Sequence, residues 1–291
     1  MTSTIAYTLV GVDGSLWDLS EPSSIVRLVA DPEGIGGPTT AAAWQENVGQ
    51  GGATYKGQQD KIMQVTLRYR FGGSWFSEQE LVDGAAAWRR ALGTGEELME
   101  FHVVETIHTD GVGLPLMIPF ELGGDTKVID RWIWARNLDS HQGPPRRKLV
   151  DQGGWNQGAL TITSGSSRWC GAAAFLFKEE GDLSGHTVHN DGDYVAWPQW
   201  EITGPTSGLK IGLNGEQVPL ANIPAGSRYL IETNPSAPQV LLNGVDAWAT
   251  AVGRKSWRVP AQPHSDVGVT IVGSARDVYM VLPLEFAAAI G

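Results

Sequence analysis

From residue 159 to residue 284 the chain is a succession of short apolar–polar alternations separated by Gly, Asn and Pro, with no helical period between them. The segments are 159–163, 172–177, 199–203, 209–213, 217–220, 229–233, 240–244, 267–272 and 278–284. A period of two places alternate side chains on opposite faces of a strand, so each segment can bury one face and wet the other. Many such strands with tight turns between them predict an antiparallel β-sandwich. No repeat is long enough to suggest a solenoid or a propeller.

The stretch 188–205 shows the pattern most fully. Asp191-Gly192 offers two residues that tolerate positive φ, which predicts a tight hairpin. Trp200 and Ile202 then alternate with Gln199, Glu201 and Thr203. Pro198 has no N–H for a ladder, so the strand begins there or lies at an edge, and Gly204-Pro205 ends it.

The first half mixes strands with one helix. Residues 4–11 and 15–19 read as a hairpin around Asp13-Gly14, and 25–29 as a strand. Residues 31–57 are rich in Gly, Ala, Thr and Gln, with Trp44 and Tyr55 the main bulky residues. They predict a long loop, or an arm ordered by a partner, and a loop of that length in a compact domain is usually functional. In 62–71, Val65, Leu67, Tyr69 and Phe71 alternate with Gln64, Thr66, Arg68 and Arg70. Ser77-Glu78-Gln79-Glu80 is a capping box, and Leu81, Ala85, Trp88 and Leu92 form one helical stripe. Arg89 and Arg90 suit the negative pole and Gly93 the stop, giving a helix over 78–92. Further strands are expected at 98–104, 116–121 and 127–135. In the last, Trp132 and Trp134 share a face opposite Ile133 and Ala135, so bulky groups lie on both sides.

Residues 137–158 hold Gly143-Pro144-Pro145 and Gly153-Gly154 and little apolar content, the composition of a link. The expected organisation is mainly β, with two β-sandwich-like domains. Residues 1–145 carry the amphipathic helix, and residues 146–291 form the antiparallel sandwich.

Candidate chemistry is sparse. His186 and His189 with Asp191 and Asp193 make the best metal set, but positions three apart on a strand point to opposite faces. Glu179, Glu180 and Asp182 could supply paired carboxylates, yet glycoside hydrolysis needs two across a cleft, and a solvated acidic loop is the simpler reading. Ser164, Ser166 and Ser167 lie between strands and form no nucleophile elbow. Neither a dinucleotide-binding nor a phosphate-binding glycine loop occurs. Arg146-Arg147-Lys148 reads as a solvated link. Cys170, the single cysteine, cannot form an intrachain disulfide and reads as a small buried hydrophobe. No residue is assigned a catalytic, cofactor-binding or metal-ligating role, and no cofactor is expected. A net charge of −11, from 21 basic and 32 acidic residues, argues against a nucleic-acid-binding surface. No apolar run approaches the ~18 residues that would insert in a membrane, and the N-terminal residues lack a secretory pattern, which predicts a soluble chain made in a cytoplasm.

One family resemblance rests on ordered pieces of the second half. Asn190-x-Gly192-Asp193, then Pro198, then an alternating strand ending in Gly204-Pro205 resembles the C-terminal domain of siphophage distal tail proteins. The same order continues through Ile223-Pro224-Ala225-Gly226, Tyr229-Leu230-Ile231-Glu232-Thr233 and Val240-Leu241-Leu242-Asn243-Gly244. The resemblance covers about the last hundred residues well and the first half more loosely. It implies a galectin-like or jelly-roll-type second sandwich and a ring-forming, tail-tube-like first domain. The implied protein is a structural, non-enzymatic virion component of the tail tip, assembled in the host cytoplasm. Its hexameric ring would join the tail tube to the baseplate hub or fibre, with the tail-tube protein, the tape-measure protein and the tail-associated hub protein as partners. The arm at 31–57 is the expected inter-subunit element. The twelve tryptophans keep a different class open, a carbohydrate-binding module presenting Trp197, Trp248 or Trp257 to sugar rings.

Overall fold

The computed structural model describes residues 2–38, 40–46, 53–108, 126–137, 155–179, 185–253 and 255–290. The chain divides into two units, Met1–Trp169 with Ala287–Gly291, and Cys170–Phe286. The link expected near residue 145 falls outside the described residues. The strand that follows it pairs along the first unit and belongs there.

The first unit contains β1 (Thr2–Val10), β2 (Leu16–Asp18), β3 (Val26–Leu28), β4 (Thr40–Glu46), β5 (Ala53–Asp60), β6 (Met63–Gly72), the helix α1 (Glu78–Leu92), β7 (Met99–His108), β8 (Thr126–Asn137) and β9 (Trp155–Ser164). One sheet runs β2-β1-β7-β8, and a second layer runs β3-β6-β9. The two are stitched together by β8, whose last residues Arg136 and Asn137 pair with Thr163 and Ile162 of β9. The alternation read from 62–71 is realised: Met63, Val65, Leu67, Tyr69 and Phe71 are buried. They share the core with Tyr7, Leu9, Phe101, Val103, Ile133, Leu160 and Ile162.

The helix forms over the residues the capping box predicts. The Ser77 side chain accepts from the Glu80 N–H, and Glu80 reaches back to the Ser77 N–H at 2.7 Å. Leu81, Ala85, Trp88, Ala91 and Leu92 are buried beneath it. Trp88 meets Trp17 edge-on at 5.0 Å and Tyr69 at 5.8 Å, so the helix touches both layers. Gly11 lets it approach, since a Cβ there would lie 2.7 Å from the Ala91 Cα. Gly93 ends it at φ +65°, a conformation that costs glycine little.

Within the loop or arm expected over 31–57, residues 40–46 and 53–57 lie in strands. Strands β4 and β5 pair from Thr40↔Asp60 to Glu46↔Ala53 as a two-stranded ribbon. Low apolar content hid them, because none of the ribbon's described side chains is buried and no alternation marks it.

The second unit is an antiparallel sandwich. Its strands are β10 (Trp169–Glu179, the first residue belonging to the other unit), β11 (His186–Asn190), β12 (Gln199–Thr203), β13 (Ser207–Leu213), β14 (Val218–Pro219), β15 (Arg228–Glu232), β16 (Gln239–Leu242), β17 (Val245–Asp246), β18 (Ser265–Ser274) and β19 (Asp277–Phe286). One sheet runs β17-β16-β15-β12-β19-β10 and the other β11-β18-β13-β14. Trp200, Ile202, Tyr229, Ile231, Val278, Met280 and Leu282 of the first, and Leu209, Ile211, Val267 and Ile271 of the second, are buried. A short helix, α2 (Trp248–Ala251), interrupts an otherwise all-strand region in which no helix is expected from the sequence.

The expected hairpin at Asp191-Gly192 is not formed. Strand β11 pairs with β18 and β12 pairs with β15 and β19, so residues 191–198 cross between sheets. Neither Asp191 nor Gly192 takes a positive φ. The loop is organised by Asn190, which is fully buried. Its Oδ1 accepts the Gly192 N–H at 3.0 Å, and its Nδ2 donates to the Tyr194 and Ala261 carbonyls at 3.0 and 3.1 Å. Strand β12 itself has the predicted faces and starts directly after Pro198.

Candidate interaction surface

The described side chains of the ribbon are mostly exposed. Trp44 and Tyr55 are 62% and 51% exposed and contact each other edge-on, with centroids 5.2 Å apart. A two-stranded ribbon is marginal by itself in water, and Trp44 and Tyr55 together give this one a small exposed aromatic patch. A second exposed ring, Trp75, is 56% exposed. It folds back on Gly73, where a Cβ would meet the ring at 2.9 Å, and the Arg27 guanidinium lies 5.1 Å from its centroid.

The outer face of β1, β7 and β8 carries a third cluster. His102 Nδ1 lies 3.0 Å from Asp130 Oδ1, and its Nε2 lies 3.0 Å from Glu100 Oε2. The imidazole also stacks on Trp132, directly opposite in the ladder, at 5.8 Å. Burial works against charging the ring, but the bonds and charges of Asp130 and Glu100 outweigh it and raise the His102 pKa above its ordinary value. Trp134, two residues along the same face, is 46% exposed.

The residues singled out from the sequence are mostly not brought together. His186 and His189 lie on opposite faces of β11. His189 is held by Asp266 at 2.8 Å and lies 3.6 Å from Asp191, while Asp193 pairs with His264 at 3.2 Å. Among the described residues no group of three or more His, Cys, Asp or Glu is arranged to hold a metal ion. Ser164 is buried and its Oγ accepts the Ser166 N–H in the turn between β9 and β10. The carboxylates of Glu179, Glu180 and Asp182, and the Arg146-Arg147-Lys148 cluster, lie outside the described residues or side chains. Cys170 is half-buried rather than fully buried, being on the opposite face of β10 from the buried Trp169. Of the three tryptophans considered for sugar stacking, Trp257 is buried against the edge of Trp248, and Trp248 and Trp197 are half-buried. Trp257 therefore has no free ring face for a sugar. No helix among the described residues is long and apolar enough to cross a membrane.

No family model and no curated protein sequence matches the chain. Solved structures do. The Dit (gp 19.1) protein of phage SPP1, described as a paradigm of the hub adsorption apparatus in phages infecting Gram-positive bacteria, matches with a TM-score of 0.56 at 12% identity, over 98% of this chain and 100% of that one. A chain of the phage P2 baseplate in its activated conformation with calcium matches at 0.52 and 10% identity, over 97% and 98%. The strontium form of the same baseplate gives 0.52 and 9% identity, over 96% and 98%. At these identities the likeness is one of fold, and it extends over nearly the whole of each chain.

Proposed function

We propose that this protein, which shares its fold with the SPP1 Dit protein, is a structural component of a siphophage tail tip. In this reading copies of the first unit assemble as a ring of about six chains, which joins the tail tube to the baseplate hub or fibre. Its neighbours are the tail-tube, tape-measure and hub proteins, it resides in the virion after assembly in the host cytoplasm, and it performs no catalysis. The observation that carries the reading is the match over the full length of a hub adsorption protein, both units included. Fold alone does not specify function. The exposed ribbon supports the assembly half of the reading, because Trp44 and Tyr55 project from it and no other described residue of the first unit buries them. Deleting residues 40–60 leaves the sandwich cores of both units untouched. The expected result is a folded monomer by light scattering; a ribbonless protein that retains the mass of the parent assembly contradicts the role given to the ribbon.

A further inference from the structure

Strand β7 holds an imidazole between two carboxylates. Alternation turns Glu100, His102 and Val104 to the outer face, because Met99, Phe101 and Val103 are buried. Strand β8 brings Asp130, Trp132 and Trp134 to the same face. Glu100 and Asp130 meet opposite ends of the His102 ring. Nε2 lies 3.0 Å from Glu100 Oε2, and Nδ1 lies 3.0 and 3.2 Å from the two Asp130 oxygens. An ionised carboxylate only accepts, and a neutral imidazole has one N–H and one bare nitrogen. The arrangement therefore requires the imidazolium, which donates at both ends. Stacking on Trp132 fixes the plane of the ring.

The neighbouring strands bring few other charges to this face. From β1, Ala6, Thr8 and Val10 are uncharged. From β2, Asp18 stands opposite Thr8, and its Oδ1 accepts the Ser20 and Glu21 N–H groups. From β8, Arg136 lies beyond Trp134 along the strand. Loss of the ring proton would leave a bare nitrogen against a carboxylate oxygen, so one of the two carboxylates must leave. Asp130 engages Nδ1 through both oxygens of a short side chain. Glu100 engages Nε2 through one oxygen of a longer side chain, so Glu100 is the group that moves. In the ladder it stands directly opposite Val10 on one side and Trp134 on the other.

We infer that His102 is a proton-operated latch for Glu100. With the ring charged, Glu100 is drawn along β7 to Nε2. With the ring neutral, Nδ1 keeps its proton for Asp130, and Glu100 swings back into the row between Val10 and Trp134. The outer face then carries one more net negative charge, beside a tryptophan that is 46% exposed. The latch opens as pH rises. The raised pKa of His102 puts the opening above the ordinary histidine value, about 6.5. The device rests on the first unit alone and not on the proposed assembly.

Two measurements on the full chain test it. Deuterium exchange at the His102 ring carbon, read by mass spectrometry from about pH 5 to about pH 9, follows the ring's own proton. Tryptophan fluorescence, taken as the parent minus Trp134→Phe, follows Glu100. The parent should give a ring midpoint above about 6.5 and a step in the Trp134 signal at the same pH. Glu100→Gln places an amide at Nε2, which can accept from the charged ring or donate to the neutral one. Its expected result is a proton affinity at least threefold weaker, with the Trp134 step lost. A parent midpoint at or below about 6.5 overturns the latch, and that result needs no variant to fold. A midpoint unmoved in Glu100→Gln, or a parent Trp134 signal with no step where the ring titrates, overturns it as well.

Discussion

Trp44 and Tyr55 meet edge-on across the β4–β5 ladder with 5.2 Å between ring centroids, and more than half of each ring faces solvent. Nothing described in the rest of the unit buries them, so their removal should leave the folded subunit almost unchanged. Aromatic residues at the centre of an interface carry a large share of its energy. The double variant Trp44→Ala, Tyr55→Ala is expected to melt within a few degrees of the parent monomer while weakening self-association at least tenfold, about 1.4 kcal/mol. Sedimentation across a concentration series reads both species. Equal association in parent and variant would remove the ribbon from the interface.

His102 gives the first unit a pH dependence of known sign. Asp130 and Glu100 raise its folded pKa above the ordinary histidine value. A raised histidine pKa contributes stability that is fully present below the unfolded pKa, about 6.5, and is lost as pH rises through the folded value. His102→Gln should therefore lower the melting temperature more at pH 5 than at pH 9. A difference that is equal at both, or larger at pH 9, contradicts the assignment.

Gly11 supports α1 at a distance that only glycine allows. A Cβ there would lie 2.6 Å from the Ala91 Cβ and 2.7 Å from its Cα, and the second of these is backbone that cannot turn aside. Gly11→Ala should destabilise the first unit by about 1–3 kcal/mol, the usual cost of overpacking. Gly14, with no atom near its Cβ direction but φ +77°, separates strain from crowding. Urea unfolding of the two alanine variants measures both, and a neutral Gly11→Ala would mean that the helix can ride outward.

Asn190, which opens the Asn190-x-Gly192-Asp193 motif, anchors a loop of the second unit through contacts that the sequence does not show. It bridges the Tyr194 and Ala261 carbonyls and the Gly192 N–H from a fully buried position. Asn190→Ala leaves those groups unpaired, at about 1–3 kcal/mol. Asn190→Asp keeps the acceptor for Gly192 but loses the donors to both carbonyls, so it should not rescue. A stability equal to the parent in either variant would mean that the loop has another anchor.

What could be read from the chain followed the range of the physics. The capping box at Ser77 and the Trp88 stripe are local, and α1 formed where they placed it. The alternations of β6 and β12 record one buried face each, and their buried residues are those expected. The Asp191-Gly192 pair predicts a hairpin, but it is equally suited to the sheet-crossing loop that forms. What decides between them is the pairing of β11 with β18, some 77 residues away at His189↔Asp266. The ribbon escaped notice for the opposite reason, since strands with no described side chain buried leave no alternation to read. Trp44 and Tyr55 were visible as the bulky residues of that stretch, but their mutual contact depends on the β4–β5 register.

The mass of the intact protein in solution, measured by light scattering over a concentration series, tests the central claim most directly. The expected result is a closed species of about six chains whose size stops growing as concentration rises, as a ring requires. A single-chain mass at every concentration, or a series of ever-longer oligomers, would contradict it.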